Sequence, residues 1–159
     1  MQHLHSYWRM QYIKQDPLLK KHIFTDIPKA ADERSVLLIY RSSCTYIVMN
    51  RYPYNTGHLL VVPYRRVENI NQLTVKERSD LMETLVKSQQ ILEKTLSPDG
   101  FNMGFNFGSA AGAGIPEHIH GHVVPRWNGD TNFMPIIADT KVLPEALDAL
   151  WMRLRRNVE

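Results

Sequence analysis

The chain has 159 residues, 43% of them hydrophobic and 22% charged, with 19 Lys and Arg against 16 Asp and Glu for a formal net charge of +3. That length suits one domain able to bury its own core, the composition excludes a fibrous or disordered chain, and so small a basic excess argues against polymeric nucleic acid as partner. No apolar run approaches the roughly 20 residues of a membrane-crossing helix, residues 1–10 lack the apolar stretch of a signal peptide, and the single Cys44 fits a reducing, cytoplasmic compartment.

The first 30 residues or so read as irregular and aromatic, with Trp8, Arg9 and Tyr12. Residues 36–40 and 45–50 form two β-rich runs joined by a hairpin at 41–44, and a third strand at 58–63 follows the turn residues 53–57. Thr74 opens the clearest helix. Thr74-x-x-Glu77 has capping-box spacing, Leu81, Leu85, Ile91, Leu92 and Leu96 recur at helical period, and Ser97-Pro98-Asp99-Gly100 ends it. Residues 101–107 alternate like a half-buried strand, and a loop of small residues at 108–114 leads into a strand at about 117–124. Leu143, Leu147, Leu150, Trp151 and Leu154 mark a C-terminal helix at about 143–156. Hairpins combined with a few long helices predict an α+β fold with a largely antiparallel sheet in one domain spanning 1–159. The basic clusters Arg65-Arg66 and Arg153, Arg155 and Arg156 read as solvated faces.

The chemistry concentrates in His118-Ile119-His120-Gly121-His122-Val123-Val124. Three histidines at i, i+2 and i+4 of a strand project from one face, and packing alone does not explain them, because every buried imidazole needs hydrogen-bond partners. Two readings stand. A metal site would need a further ligand such as His58, since a rise of about 3.3 Å per residue separates the outer two Cα atoms by roughly 13 Å. Phosphate chemistry uses the whole row: one imidazole attacks phosphorus while its neighbours donate to phosphoryl oxygens and the leaving group. Gly108-Ser109-Ala110-Ala111-Gly112-Ala113-Gly114 suits that reading, because its backbone can approach an anion closely.

The row also fits the His-x-His-x-His-apolar-apolar signature, and the chain is identified on it as resembling the histidine triad superfamily of nucleotide hydrolases and transferases. Asn50-Arg51-Tyr52-Pro53-Tyr54-Asn55-Thr56-Gly57-His58-Leu59-Leu60-Val61-Val62-Pro63 is similar to the family's Asn…Pro-Gly-His-apolar-Pro segment, so the resemblance spans about 22–127. Ala111 to His118 and Pro125 to Phe133 resemble a bacterial branch that includes diadenosine tetraphosphate phosphorylase and is related to the fragile-histidine-triad hydrolases.

The resemblance implies a fold with an antiparallel sheet, one long central helix and a C-terminal helix. It makes His120 the nucleophile, with His118 and His122 binding phosphate oxygens and assisting the leaving group, and His58 beside the phosphate site. Asn50 matches the ribose-binding position. Asn106 resembles the polar residue that contacts phosphate, given a one-residue insertion in the loop, and Ser109 and Gly114 are further substrate-binding candidates. Zinc-bearing members carry Cys-x-x-Cys where His22-Ile23-Phe24-Thr25 stands and a histidine at Arg66, so no structural zinc is expected. The hydrolases' loop glutamine is replaced by Ala113 or Gly114. Glu117 either orients a histidine or faces solvent, and Trp8 and Trp127 either stack on a base or pack in the core.

The implied reaction has two steps through a nucleotidyl–histidine intermediate, and no metal is required in the covalent step, although substrate can arrive as its magnesium complex. With inorganic phosphate as acceptor, diadenosine tetraphosphate gives ADP and ATP, the preferred expectation. With water as acceptor the protein is a hydrolase of dinucleoside polyphosphates, and phosphoramidate hydrolysis is a third enzymatic reading. A nucleotide-binding regulator is the alternative of another class. The family resemblance also implies a homodimer paired through a sheet edge.

Overall fold

The computed structural model describes residues 22–130 and 145–158. Val, Ile, Leu and Tyr dominate three short runs that become neighbouring strands, β1 (Leu38–Arg41), β2 (Thr45–Met49) and β3 (Leu59–Pro63), after a one-turn helix α1 (Ile23–Asp26). The long helix α2 (Val75–Leu96) follows, then β4 (Gly100–Phe105), β5 (Gly121–Arg126) and the C-terminal helix α3 (Leu147–Arg156). The sheet order is β1-β2-β3-β5-β4, and every neighbouring pair is antiparallel. The expected α+β architecture is therefore present. Among the described residues no helix is long and apolar enough to cross a membrane.

The central strands β2 and β3 are buried at every position, as expected where both faces are covered. Helix α2 packs against β2, β3 and β5 through Leu81, Leu85, Ile91 and Leu92, the residues whose spacing announced the helix. Its Thr74 cap forms as the capping box requires: Glu77 N donates to Thr74 Oγ1 at 3.2 Å, and Thr74 N donates to Glu77 Oε2 at 2.7 Å. Ser97 ends it in the left-handed region at φ 46°.

Several element ends differ from the sequence reading, each for a local reason. Leu37 adopts φ 60°, a left-handed conformation that costs a β-region residue roughly 1–2 kcal/mol, so β1 starts at Leu38 rather than at 36. Strand β4 stops at Phe105 because its partner begins at Gly121, directly opposite. Strand β5 begins at Gly121, not 117. Continuing its pairing with β3 would require Pro63 to donate, and Pro63 has no N–H. Helix α3 begins at Leu147; Leu143 lies outside the described residues, as do Trp8, Arg9, Tyr12 and the motif residues Thr131-Asn132-Phe133.

Two polar clusters tie the layers together. Asp80 on α2 accepts from Ser42 Oγ at 2.6 Å, Ser43 Oγ at 2.8 Å, Cys44 N at 3.1 Å and Thr45 Oγ1 at 2.7 Å, clasping the β1–β2 hairpin. Partial burial pushes this carboxyl up, yet those donors favour its charged form and hold it below the usual aspartate value. At β1, Trp151 Nε1 of α3 donates to the Leu38 carbonyl at 2.9 Å, and Arg155 Nη1 donates to the Ile39 carbonyl at 2.7 Å. Replacing Asp80 with Ala leaves four donors without their acceptor and should cost about 2 kcal/mol in a urea melt, with Asp80→Asn intermediate.

Candidate active site

Two segments converge where β3 and β5 begin. The first is the loop between β2 and β3, which closes on itself: Asn50 N donates to the His58 carbonyl at 2.9 Å, and His58 N donates to the Asn55 carbonyl at 3.1 Å. Gly57 makes that turn possible at φ 79°, in van der Waals space so tight that an added Cβ would stand 2.6 Å from Leu96 Cδ1. The second segment carries His118, His120 and His122. Only His122 lies in a strand, opposite Leu60 of β3 and Gly104 of β4. This corrects the expectation of three histidines on one regular strand. His118 and His120 sit in the approach to β5, held beside β3 by Ile119 N, which donates to the Val67 carbonyl at 2.7 Å.

The hydrogen bonds decide where each imidazole carries its proton, because a carbonyl can only accept. His118 Nε2 donates to the Pro63 carbonyl at 2.8 Å. His120 Nδ1 donates to the His118 carbonyl at 2.9 Å, which leaves the lone pair on His120 Nε2. His58 Nδ1 accepts from Tyr54 N at 3.1 Å and from Asn50 Nδ2 at 3.3 Å, so its proton resides on Nε2. That proton points to His122 Nδ1 at 3.0 Å, and His122 in turn carries its own on Nε2. The arrangement is one imidazole with a bare Nε2 beside another that is a donor there; the two ring centroids are 5.0 Å apart.

Burial favours the neutral form of His118 and His120. His58, His118 and His120 are buried, and burial pushes His118 and His120 below the ordinary histidine value, against the opposing effect of their carbonyl partners. His118 is further disfavoured as a cation by His120 and Arg66. Phe24 of α1 supplies part of the apolar wall, its ring 5.5 Å from His118 and 4.9 Å from His120.

His120 and His122 open onto a cavity of about 220 Å³ lined also by Phe24, Ile27, Val48 and Leu60. Of the substrate-binding candidates, Asn50 and Gly114 line this cavity, while half-buried Asn106 and exposed Ser109 lie outside its lining. Asn50 also serves the loop, since its Oδ1 accepts from Tyr52 N at 2.9 Å. His58 and His118 stand behind the lining and reach it through His122 and His120. Trp127 is half-buried in a separate surface recess with Asn55 and Thr56, and Glu117 borders another with Arg65 and Arg66. The residues at the zinc-ligand positions do not fit a metal. Thr25 Oγ1 donates to the His22 carbonyl at 2.8 Å, and Arg66 brings a positive charge to bear on His118. Tyr54 and Phe24 went unrecognised in the sequence, where no periodicity marks an aromatic in a loop or a single helical turn.

A buried imidazole whose proton is held by a backbone carbonyl, beside a donor imidazole, is an arrangement suited to phosphoryl or nucleotidyl transfer. The sequence profile of the HIT domain matches residues 31–129, and the chain belongs to that family. It is 42% identical over 155 residues to the AP-4-A phosphorylase of Mycobacterium tuberculosis, covering 92% of this chain and 79% of that protein. It is 37% identical over 93 residues to the asymmetrical bis(5'-nucleosyl)-tetraphosphatase of Schizosaccharomyces pombe, covering 58% of this chain and 50% of that one. Among solved structures, a histidine triad nucleotide-binding protein from Sulfolobus tokodaii shares the fold with a TM-score of 0.67 at 22% identity, over 85% of this chain and 90% of that one.

The lowered histidines set a pH dependence of stability. Below the unfolded value near 6.5 the unfolded chain takes up protons that folded His118 and His120 refuse, so unfolding gains and stability falls with falling pH. Thermal unfolding followed from pH 7.5 to 5 should show this decline beginning near pH 6.5, before carboxylates titrate, and His120→Gln should flatten it.

Proposed function

We propose that the protein is a nucleotidyltransferase that cleaves dinucleoside polyphosphates by phosphorolysis, taking diadenosine tetraphosphate and inorganic phosphate to ATP and ADP. The observation that carries this reading is the His120 Nδ1 bond to the His118 carbonyl, which commits Nε2 to nucleophilic attack inside the cavity. The Nε2 lone pair forms a bond to the α-phosphorus, the bond to the bridging oxygen breaks, and ATP leaves. His122 Nε2–H is the donor on hand for charge gathering on that oxygen. Phosphate then attacks the adenylyl–histidine from the same pocket, and ADP departs with His120 restored. Gly114 brings a backbone without side-chain bulk to the cavity rim, and the apolar wall of Phe24, Ile27 and Val48 suits a nucleobase. His118 acts as a positioning residue, through its carbonyl.

The 42% identity to the mycobacterial phosphorylase supports phosphate as acceptor, and the tetraphosphatase relative supports water as the second reading. The covalent step draws on imidazoles alone; magnesium enters with the polyphosphate chain. Both products belong to the cell's nucleotide pool, which supports a cytoplasmic location. A homodimer is proposed on the open flank of β4: among the described residues that strand pairs with β5 alone, and Met103 and Phe107 are exposed there. A second copy would complete the pairing.

Product analysis with diadenosine tetraphosphate, with and without inorganic phosphate, tests the reaction. ADP and ATP formed only with phosphate are expected, whereas AMP and ATP formed without it make the protein a hydrolase. His120→Ala should lower turnover by a factor on the order of 10⁴ or more while nucleotide still binds. Light scattering at micromolar concentration should give twice the chain mass; a monomer there overturns the paired sheet.

A further inference from the structure

The wall of the cavity that faces His120 is carried by α1, and the chain cannot complete that helix by itself. Ile27 N donates to the Ile23 carbonyl, and the next bond in the series would run from residue 28 to the Phe24 carbonyl. That position is Pro28, which has no N–H, and the chain tightens there into a single 3-10 turn, Ile27–Lys29. The Phe24 carbonyl must therefore take its donor from elsewhere, and it accepts from Tyr46 Oη of β2 at 2.7 Å, where Tyr46 is fully buried. The carbonyl of Pro28 itself accepts from Arg41 Nη1 of β1 at 2.9 Å. Arg41 and Tyr46 stand directly opposite one another in the β1–β2 ladder. Glu33 accepts from Arg41 Nε at 2.8 Å and from Arg155 Nη2 at 3.0 Å, which holds the guanidinium in the orientation that reaches Pro28.

We infer that Tyr46 and Arg41 are a pair of positioning residues that hang the apolar wall of Phe24 and Ile27 from the sheet and so set the affinity of the cavity for a nucleobase. The inference rests on the nucleotidyl-transfer reading of that cavity and adds to it the side chains that fix its apolar end. Both wall residues line the cavity, and the Phe24 ring stands 4.9 Å from that of His120, so a shift of α1 changes the space beside the nucleophile. A one-turn helix is too short to hold such a position by its own bonds. Burial pushes the Tyr46 phenol up, so it stays a donor at neutral pH. Without that hydroxyl the Phe24 carbonyl would be buried with no donor, a state relieved when α1 tilts towards water. The tilt carries Phe24 and Ile27 away from the space a base would fill, and the apolar contact with the base is lost. The proton on His120 keeps its place, because its acceptor is the His118 carbonyl on another segment. The pair therefore acts on binding rather than on the covalent step.

Titration calorimetry with AMP and steady-state kinetics with diadenosine tetraphosphate, both on the full chain, test this. Tyr46→Phe, which deletes one oxygen, should weaken AMP binding and raise KM by about tenfold with kcat nearly unchanged. Arg41→Met, at an exposed position, should give a smaller loss of the same kind, and it carries the test if Tyr46→Phe does not fold. A merely structural role lowers the number of competent sites per chain and leaves the affinity of each, so stoichiometry and Kd separate the two. Tyr46→Phe combined with Pro28→Ala, which restores an N–H four residues after Phe24, should recover AMP affinity. AMP binding at the wild-type Kd in both single variants overturns the inference, as does a fall in kcat with KM unchanged. So does a double variant that binds no more tightly than Tyr46→Phe alone. Wild type that binds AMP but turns over no dinucleotide overturns the proposed function and leaves the positioning intact, whereas failure of AMP to bind wild type overturns both.

Discussion

The bond from His120 Nδ1 to the His118 carbonyl is the constraint on which the rest of the site depends. A free neutral histidine divides its proton between two nitrogens, and a nucleophile that is protonated on the attacking atom is no nucleophile. Here the main chain two residues back makes the choice, without a carboxylate and at no cost in buried charge. Burial then protects the choice, since the ring lies in surroundings that disfavour a second proton. The same accounting extends to His118 on Pro63, and to His58 between a backbone N–H and His122. Four imidazoles are packed together, and each proton has an assigned place.

The fold supplies those acceptors by interrupting its own ladders. Pro63 ends β3 without a donor, and the opposing chain turns at 115–118, where His118 N donates to the Ile115 carbonyl, before the His118 carbonyl accepts from His120. A strand continued to residue 117 would have spent that carbonyl on a neighbour. Gly57 plays the matching part in the other segment, letting the loop fold back under Leu96 so that His58 arrives behind His122. Regular structure brings the segments close; irregular structure at their ends holds the four histidines.

Much of this was legible in the chain. Thr74-x-x-Glu77 and the leucine period located α2 to the residue because capping and amphipathicity are local properties. The histidine row and the Gly57-His58 segment announced the site because few other arrangements need such residues. What stayed hidden is long-range or depends on backbone state. Nothing near Leu37 signals a left-handed residue, and the grip of Asp80 on a hairpin 35 to 38 residues away has no local pattern. Tyr54 in a polar loop looks like any surface aromatic until the fold stacks it on two histidines. Asn106 matches the family's phosphate-contacting residue only given a one-residue insertion in the loop that follows, and both it and Ser109 lie outside the cavity lining that Gly112 and Gly114 reach.

The hydrogen bonds from Trp151 and Arg155 to the carbonyls of Leu38 and Ile39 have a consequence for how the molecule grows. A sheet with two raw margins can recruit copies without limit, and a filament is the outcome. Here one margin is stitched to a helix of the same chain, while among the described residues the other ends at β4. In the homodimer proposed above, such a sheet would be extended once, across a twofold axis, leaving both outer margins stitched. The C-terminal helix thereby covers the β1 margin, beside the exposed Arg41 that ends that strand.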